Sequence, residues 1–190
     1  TRYSRAAKAA AKLLEESQST HPPVIVRNIA RQYAHVQLDR LPDDVSGMLI
    51  PGPTTISKPW IIVVNRSHAP VRQRFTMAHE LGHAILHQYN QPHADGVQKI
   101  RFRNDVSAQG SDREEIEANQ FAAELLMPAQ LLVPRLQELG LDRWDAEGAL
   151  QQLRSPGTQE ERHALEDLAA EFKVSQEALV LRIGTLLQRG

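Results

Sequence analysis

The sequence predicts an α+β fold, mainly helical, with a small antiparallel sheet of about three strands. The better strand-like runs, β-branched and aromatic, lie within residues 35–64. Helix-forming runs flank them and fill the chain beyond residue 113. At 190 residues the chain is long enough for one domain with a real core.

Residues 4–17 (SRAAKAAAKLLEES) are rich in helix formers and read as a helix. Residues 18–23 break it with two prolines, and 24–33 read as a short amphipathic helix. A strand at 35–38 is followed by a turn region at 41–46. Better strands lie at 47–50, ended by Pro51-Gly52-Pro53, and at 60–64, ended by Asn65. A long helix is expected over 70–87, with Pro70 suited to its first position. Residues 89–110 read as a loop with a short strand near 99–103. A second long helix covers 113–127; Ser111-x-x-Glu114 before it has the capping-box pattern, and Pro128 ends it. Helices at 129–139, 143–153, 158–172 and 175–188 complete the chain, punctuated by Gly140, Pro156 and Gly157. The expected division is a main α+β domain over 1–130 and a helical C-terminal extension over 131–190, packed on it.

Apolar residues make up 41% and charged residues 24%, with a formal net charge of −1. A general nucleic-acid or membrane-surface binder would carry a basic excess, so neither class is expected. There are no cysteines, which excludes disulfides and thiolate-held zinc. The apolar run at 60–64 is far too short to cross a bilayer. Arg2, Arg5 and Lys8 lie among alanines with no apolar signal core, so a cytoplasmic location is expected.

The chemistry resides in His79-Glu80-Leu81-Gly82-His83. Positions i and i+4 of a helix share one face, so His79 and His83 can offer two imidazole nitrogens to one ion. Glu80 projects beside that ion, placed to take a proton from the attacking water. A chance match to this spacing in a chain with 8 histidines is expected in roughly 2% of cases. The bland alternative is a solvated polar stripe or core histidines satisfied by hydrogen bonds. Against it, Phe75, Met77, Ala78, Leu81, Ile85 and Leu86 supply the surface of a buried helix.

A catalytic zinc site needs a third protein ligand and an open position. The helix at 113–127 carries Glu114, Glu115, Glu117 and Glu124. Glu115 is the choice: Asn119, four residues on, shares its face and can hold the free nitrogen of a ligating histidine. Ala118, Ala122 and Ala123 would let the two helices approach closely. Glu117 is the reserve and Glu114 a cap residue. His87 lies about 12 Å along the helix from His79, too far to share an ion, and reads as a core residue or a support behind the ligands. Tyr89 and His93, in the following loop, are the candidates for polarising a scissile carbonyl, and the sequence does not choose between them.

The run Arg74-Phe75-Thr76-Met77-Ala78-His79-Glu80-Leu81-Gly82-His83, followed by Leu86-His87, resembles the signature helix of the ImmA/IrrE family of metallo-endopeptidases. The run from Glu115-Ile116-Glu117-Ala118-Asn119 to Leu126-Met127-Pro128 resembles its second motif. The strand before the first motif also fits, and the likeness covers roughly residues 22–130. It implies a zincin-like domain holding one Zn²⁺, with Mn²⁺ as the alternative, by His79, His83 and Glu115. Asn119 stands where Asp is common in related zincins. The resemblance further implies a protein substrate, a helix-turn-helix transcriptional repressor, whose cleavage switches on stress-response or mobile-element genes.

Residues 158–188 themselves read as helix, short turn, Ser175 cap and helix. A DNA-reading helix would expose cations, whereas Gln176 and Glu177 are its exposed start and Glu160, Glu161, Glu166, Asp167 and Glu171 precede it. That charge opposes DNA binding and favours packing or docking. Two function classes follow: an endopeptidase acting on a protein partner, and a non-proteolytic regulatory or DNA-binding module built on a degenerate zincin domain.

Overall fold

The computed structural model describes residues 4–53, 57–87, 93–96, 110–142 and 158–187. In chain order these form α1 (Arg5–Glu16), α2 (Val26–Tyr33), β1 (Ala34–Asp39), β2 (Val45–Pro51), β3 (Trp60–Asn65) and α3 (Pro70–Leu86). Then come β4 (His93–Gly96), α4 (Gly110–Leu126), α5 (Ala129–Glu138), α6 (Gln159–Phe172) and α7 (Gln176–Leu187). The mainly helical α+β class is as expected. The helix expected at 143–153, the strand near 99–103 and Tyr89 lie outside the described residues.

The sheet differs from expectation. It has four strands in the order β1-β3-β2-β4 and is mixed: β1 runs parallel to β3, while β2 runs antiparallel to both β3 and β4. The reason lies in β3. Its unbroken Ile61-Ile62-Val63-Val64 run suits a strand with neighbours on both edges, and Ile62 to Asn65 are buried. β3 therefore takes the interior, and β1, with His35, Gln37, Leu38 and Asp39 exposed, is left at the edge. β4 forms within the stretch read as a loop, pairing Asp95 with Gly47 and His93 with Leu49.

Asn65 closes β3. Its buried amide donates to the carbonyls of Val45 (2.8 Å) and Pro42 (3.1 Å), and its oxygen accepts from the Ser67 N–H at 3.0 Å. Pro70 then starts α3 at the predicted place. From Thr76 to His83 every residue of this helix is buried, as expected for one covered on all sides. It packs against β2 and β3, and against α2 and α4, while α1 packs on α4 and α3. α4 begins at Gly110, so Ser111 lies inside its first turn rather than capping it. One apolar cluster joins Leu13, Ile29, Ile62, Leu81, Phe121 and Leu125 with Leu168, Phe172, Leu179 and Ile183 of the last two helices.

Two arginines tie distant segments together. Arg74 donates from Nη2 to the Val24 carbonyl (2.9 Å) and from Nε to the Lys173 carbonyl (3.2 Å), and its burial pushes the guanidinium below its ordinary range. Arg182 of α7 is buried. It donates from Nε to the Met127 carbonyl (3.1 Å) at the end of α4 and pairs with Glu124.

Candidate metal centre

His79 and His83 lie one turn apart on α3, and their Nε2 atoms face each other at 2.9 Å. Glu115 reaches toward both from α4. Its Oε2 is 3.4 Å from His79 Nε2 and its Oε1 is 3.5 Å from His83 Nε2. Among the described residues this is the set of His, Asp and Glu ligand atoms that could hold a metal ion, all within 4.8 Å of one another. The three side chains are buried, His83 completely.

These donors fit a divalent ion. Tetrahedral coordination at about 2.0–2.1 Å sets neighbouring ligand atoms roughly 3.3–3.4 Å apart. Each carboxylate oxygen of Glu115 stands at about that edge from one of the two rings, Oε2 from His79 and Oε1 from His83, and the imidazole pair needs to open by only a few tenths of an ångström, roughly, to match it. Neutral imidazole nitrogens with a carboxylate are a donor set zinc commonly accepts.

The supporting residues converge on the same point. Asn119 Oδ1 lies 3.0 Å from His79 Nδ1, the nitrogen facing away from Glu115. An amide oxygen accepts only, so His79 carries its proton on Nδ1 and turns a bare Nε2 inward. His87 sits behind the other candidate ligand, its Nδ1 3.1 Å from His83 Nδ1. Glu117, the reserve ligand, turns elsewhere: its Oε2 lies 3.3 Å from His87 Nε2. Glu124 is engaged with Arg182. His93 begins β4.

Glu80 follows His79 on α3 and is fully buried. Its carboxylate lies against β2 at Gly47. A Cβ added to Gly47 would come within 2.8 Å of Glu80 Oε1 and 2.4 Å of Thr76 Cγ2. Gly47 also sits where the β2–β4 register shifts, so the missing side chain serves both the bulge and the close approach of α3. Gly82 performs the same service toward α4. A Cβ there would lie 3.0 Å from Phe121 Cδ1 and 3.2 Å from Ala118 Cα. The expected close approach through Ala118 and Ala122, both fully buried, therefore has Gly82 as its counterpart on α3. Sequence reasoning passed over Gly47, Gly82 and Arg182. A glycine inside a strand pattern and one inside a ligand helix were the available signals.

Residues 31–184 match the profile of the family described as the IrrE N-terminal-like domain, peptidase M78. The chain is also similar to an uncharacterized immunity region protein 2 of Bacillus phage phi105, 39% identical over 67 residues. That match spans 35% of this chain and 37% of the phage protein, so the chain spans little more than a third of that relative's length. With most of its length matched, α3 and α4 included, the chain belongs to the ImmA/IrrE family, whose profile is the IrrE N-terminal-like domain.

Proposed function

We propose that the chain is a metal-dependent endopeptidase that hydrolyses a peptide bond in a protein partner. The observation that carries this reading is the meeting of His79 Nε2, His83 Nε2 and the Glu115 carboxylate in one buried volume. Zn²⁺ is the proposed ion, with Mn²⁺ as the alternative. A divalent ion bound there supplies a Lewis acid that polarises a carbonyl and acidifies water.

His79, His83 and Glu115 present lone pairs, and Asn119 and His87 hold the two rings in register from behind. Glu80 takes the proton of the attacking water as its oxygen bonds to the scissile carbonyl carbon. Glu80 then delivers that proton to the amide nitrogen as the C–N bond breaks. The burial of Glu80 keeps bulk water from competing for that proton.

The proposed substrate is a helix-turn-helix transcriptional repressor, cut in a stress or mobile-element response. The family resemblance supports this, as does the similarity to the phage immunity region protein. A cytoplasmic location suits such a partner. Among the described residues no helix is long and apolar enough to cross a membrane.

In this reading residues 1–130 carry the chemistry, and 131–190 form a helical extension that packs against them. The Arg182 contacts to Met127 and Glu124 support that packing. The rival reading is a regulatory, DNA-binding module with a degenerate zincin domain. It needs an exposed second helix in the C-terminal pair. Leu179, Val180, Arg182 and Ile183 of α7 are buried, which weighs against it.

The test is incubation of the purified full chain, with zinc, alongside the helix-turn-helix repressor encoded nearest to it, read by mass spectrometry. Wild type is expected to cut at a defined bond. Glu80→Gln is expected to keep its zinc and lose cleavage. Cleavage by Glu80→Gln at the wild-type rate would remove the general-base assignment. A salt-sensitive DNA shift with no cleavage would favour the rival.

A further inference from the structure

We infer that the outer edge of β1 pairs with the same edge of a second copy of this chain, antiparallel and centred on Gln37, so that His35 of each copy meets Asp39 of the other. The inference goes beyond the proposed function and does not depend on a bound metal.

β1 ends the strand order β1-β3-β2-β4, so one of its sides has no strand beside it among the described residues. It pairs with β3 residue for residue, from Ala34 opposite Trp60 to Asp39 opposite Asn65, without a shift. The Arg66 N–H donates to the Asp39 carbonyl at 2.8 Å, so the backbone of Asp39 faces β3. Backbone groups alternate sides along a strand. His35 and Gln37 therefore face β3 as well, and Val36 and Leu38 turn their N–H and C=O groups outward. Such an edge is normally blunted by lysine, proline or a bulge. The strand Ala-His-Val-Gln-Leu-Asp contains neither residue, and its ladder is regular. The opposite edge is managed: β4 has only four residues, and its pairing with β2 carries a register shift.

The sequence of β1 complements itself. In an antiparallel pair centred on Gln37, Val36 and the partner's Leu38 exchange both backbone hydrogen bonds, and the two-fold axis repeats the exchange. His35 and the partner's Asp39 then stand at a non-hydrogen-bonded position, where side chains approach closest. An imidazole N–H donates to a carboxylate there, and the two Gln37 amides can bond to each other. All three residues are exposed. The other face is apolar. Ile62 and Val64, opposite Val36 and Leu38 in the ladder, belong to the core, and Val36 packs against it. Leu38, 39% exposed, would gain the partner's Val36 as cover.

The register is specific. Moving the centre by one residue, to Val36 or to Leu38, sets Gln37 against His35 or against Asp39. Each charge then loses its opposite. This charge match favours a second copy over an unrelated strand. Six residues per copy make an interface smaller than the roughly 1,200 Å² of a standard one, so the dimer is weak and grows with concentration.

Sedimentation equilibrium of the full chain over a concentration series tests this, with circular dichroism to check folding. Wild type is expected to pass from monomer to dimer. His35→Asp sets carboxylate against carboxylate at two symmetric positions and should weaken the dimer by about tenfold or more. Asp39→Lys should weaken it too. The double variant, His35→Asp with Asp39→Lys, restores opposite charges with the sign reversed and should recover much of the affinity. Leu38→Pro removes an N–H that β3 does not use, so the sheet should survive while dimerisation is lost. If Leu38→Pro fails to fold, the charge swap decides. A wild-type chain still monomeric at about 1 mM, where even a weak encounter populates a dimer, overturns the inference. So does a dimer indifferent to His35→Asp and to Leu38→Pro, which would use another surface. A monomeric wild type that loses repressor cleavage on Leu38→Pro would give the edge to the substrate instead and also overturn it.

Discussion

Asn119 Oδ1 lies 3.0 Å from His79 Nδ1, and Asn119 stands one helical turn beyond Glu115 on α4. One face of one helix thus supplies both a candidate ligand and the group that orients another. Asn119→Ala is expected to leave the fold intact and to weaken zinc binding by about tenfold or more. Asn119→Asp keeps an acceptor in place and should retain the affinity. Chelator competition on the three proteins checks the order, and equal affinity in Asn119→Ala would show that His79 needs no such support.

Binding to the native state alone stabilises that state by an amount that grows with the logarithm of ligand concentration over its dissociation constant. Zinc at 100 times its dissociation constant should therefore raise the stability of the metal-stripped protein by about 2.7 kcal/mol. The thermal midpoint should fall on chelation and return on adding zinc. His83→Ala should remove the response. A midpoint indifferent to zinc in wild type would contradict a metal centre at these residues.

The two close-approach glycines should respond differently to the same change. At Gly47 an added methyl meets Thr76 Cγ2 at 2.4 Å and the Glu80 carboxylate at 2.8 Å, so Gly47→Ala must displace α3 from β2. A loss of about 1–3 kcal/mol is expected, together with reduced cleavage. At Gly82 the contacts are milder, 3.0–3.3 Å, and alanine is worth about 1 kcal/mol more than glycine within a helix. Gly82→Ala should therefore change stability little while pushing α4, and Glu115 with it, away from the histidines. Denaturation curves and zinc affinities on both variants separate the two effects.

Arg182→Met removes a buried guanidinium from beside Glu124 and the Met127 carbonyl. Breaking a buried pair from one side costs about 3–5 kcal/mol. Chemical denaturation of the variant should show a loss of that size, and an unchanged midpoint would mean that α4 keeps its end without α7.

Much of this was legible before any coordinates. The bounds of α3 followed from Pro70 at its start and from the apolar positions that cover it; helical spacing put His79 and His83 on one face, while Glu115 was singled out among four glutamates by Asn119 beside it and by the family resemblance. Strand partners were not legible. Alternation and β-branching mark a strand but do not say beside which strand it lies, so the parallel β1–β3 pair was missed. β4 is His-Ala-Asp-Gly, a sequence with little β preference that pairs with the free edge of β2. Gly47 and Gly82 matter for what approaches them, and nothing in the chain announces an approach. Arg182 reads as an ordinary surface charge on an apolar helix, because its partners are 55 and 58 residues away.

That separation carries an implication for how the protein is made. The stretch bearing Glu115 is synthesised well before the arginine that fastens its far end, 55 residues behind Met127. A growing chain can wind this helix early, yet it meets its anchor only once α7 has left the ribosome. The fastened form of α4, and the placement of Glu115 with it, therefore waits on a segment translated 55 residues later.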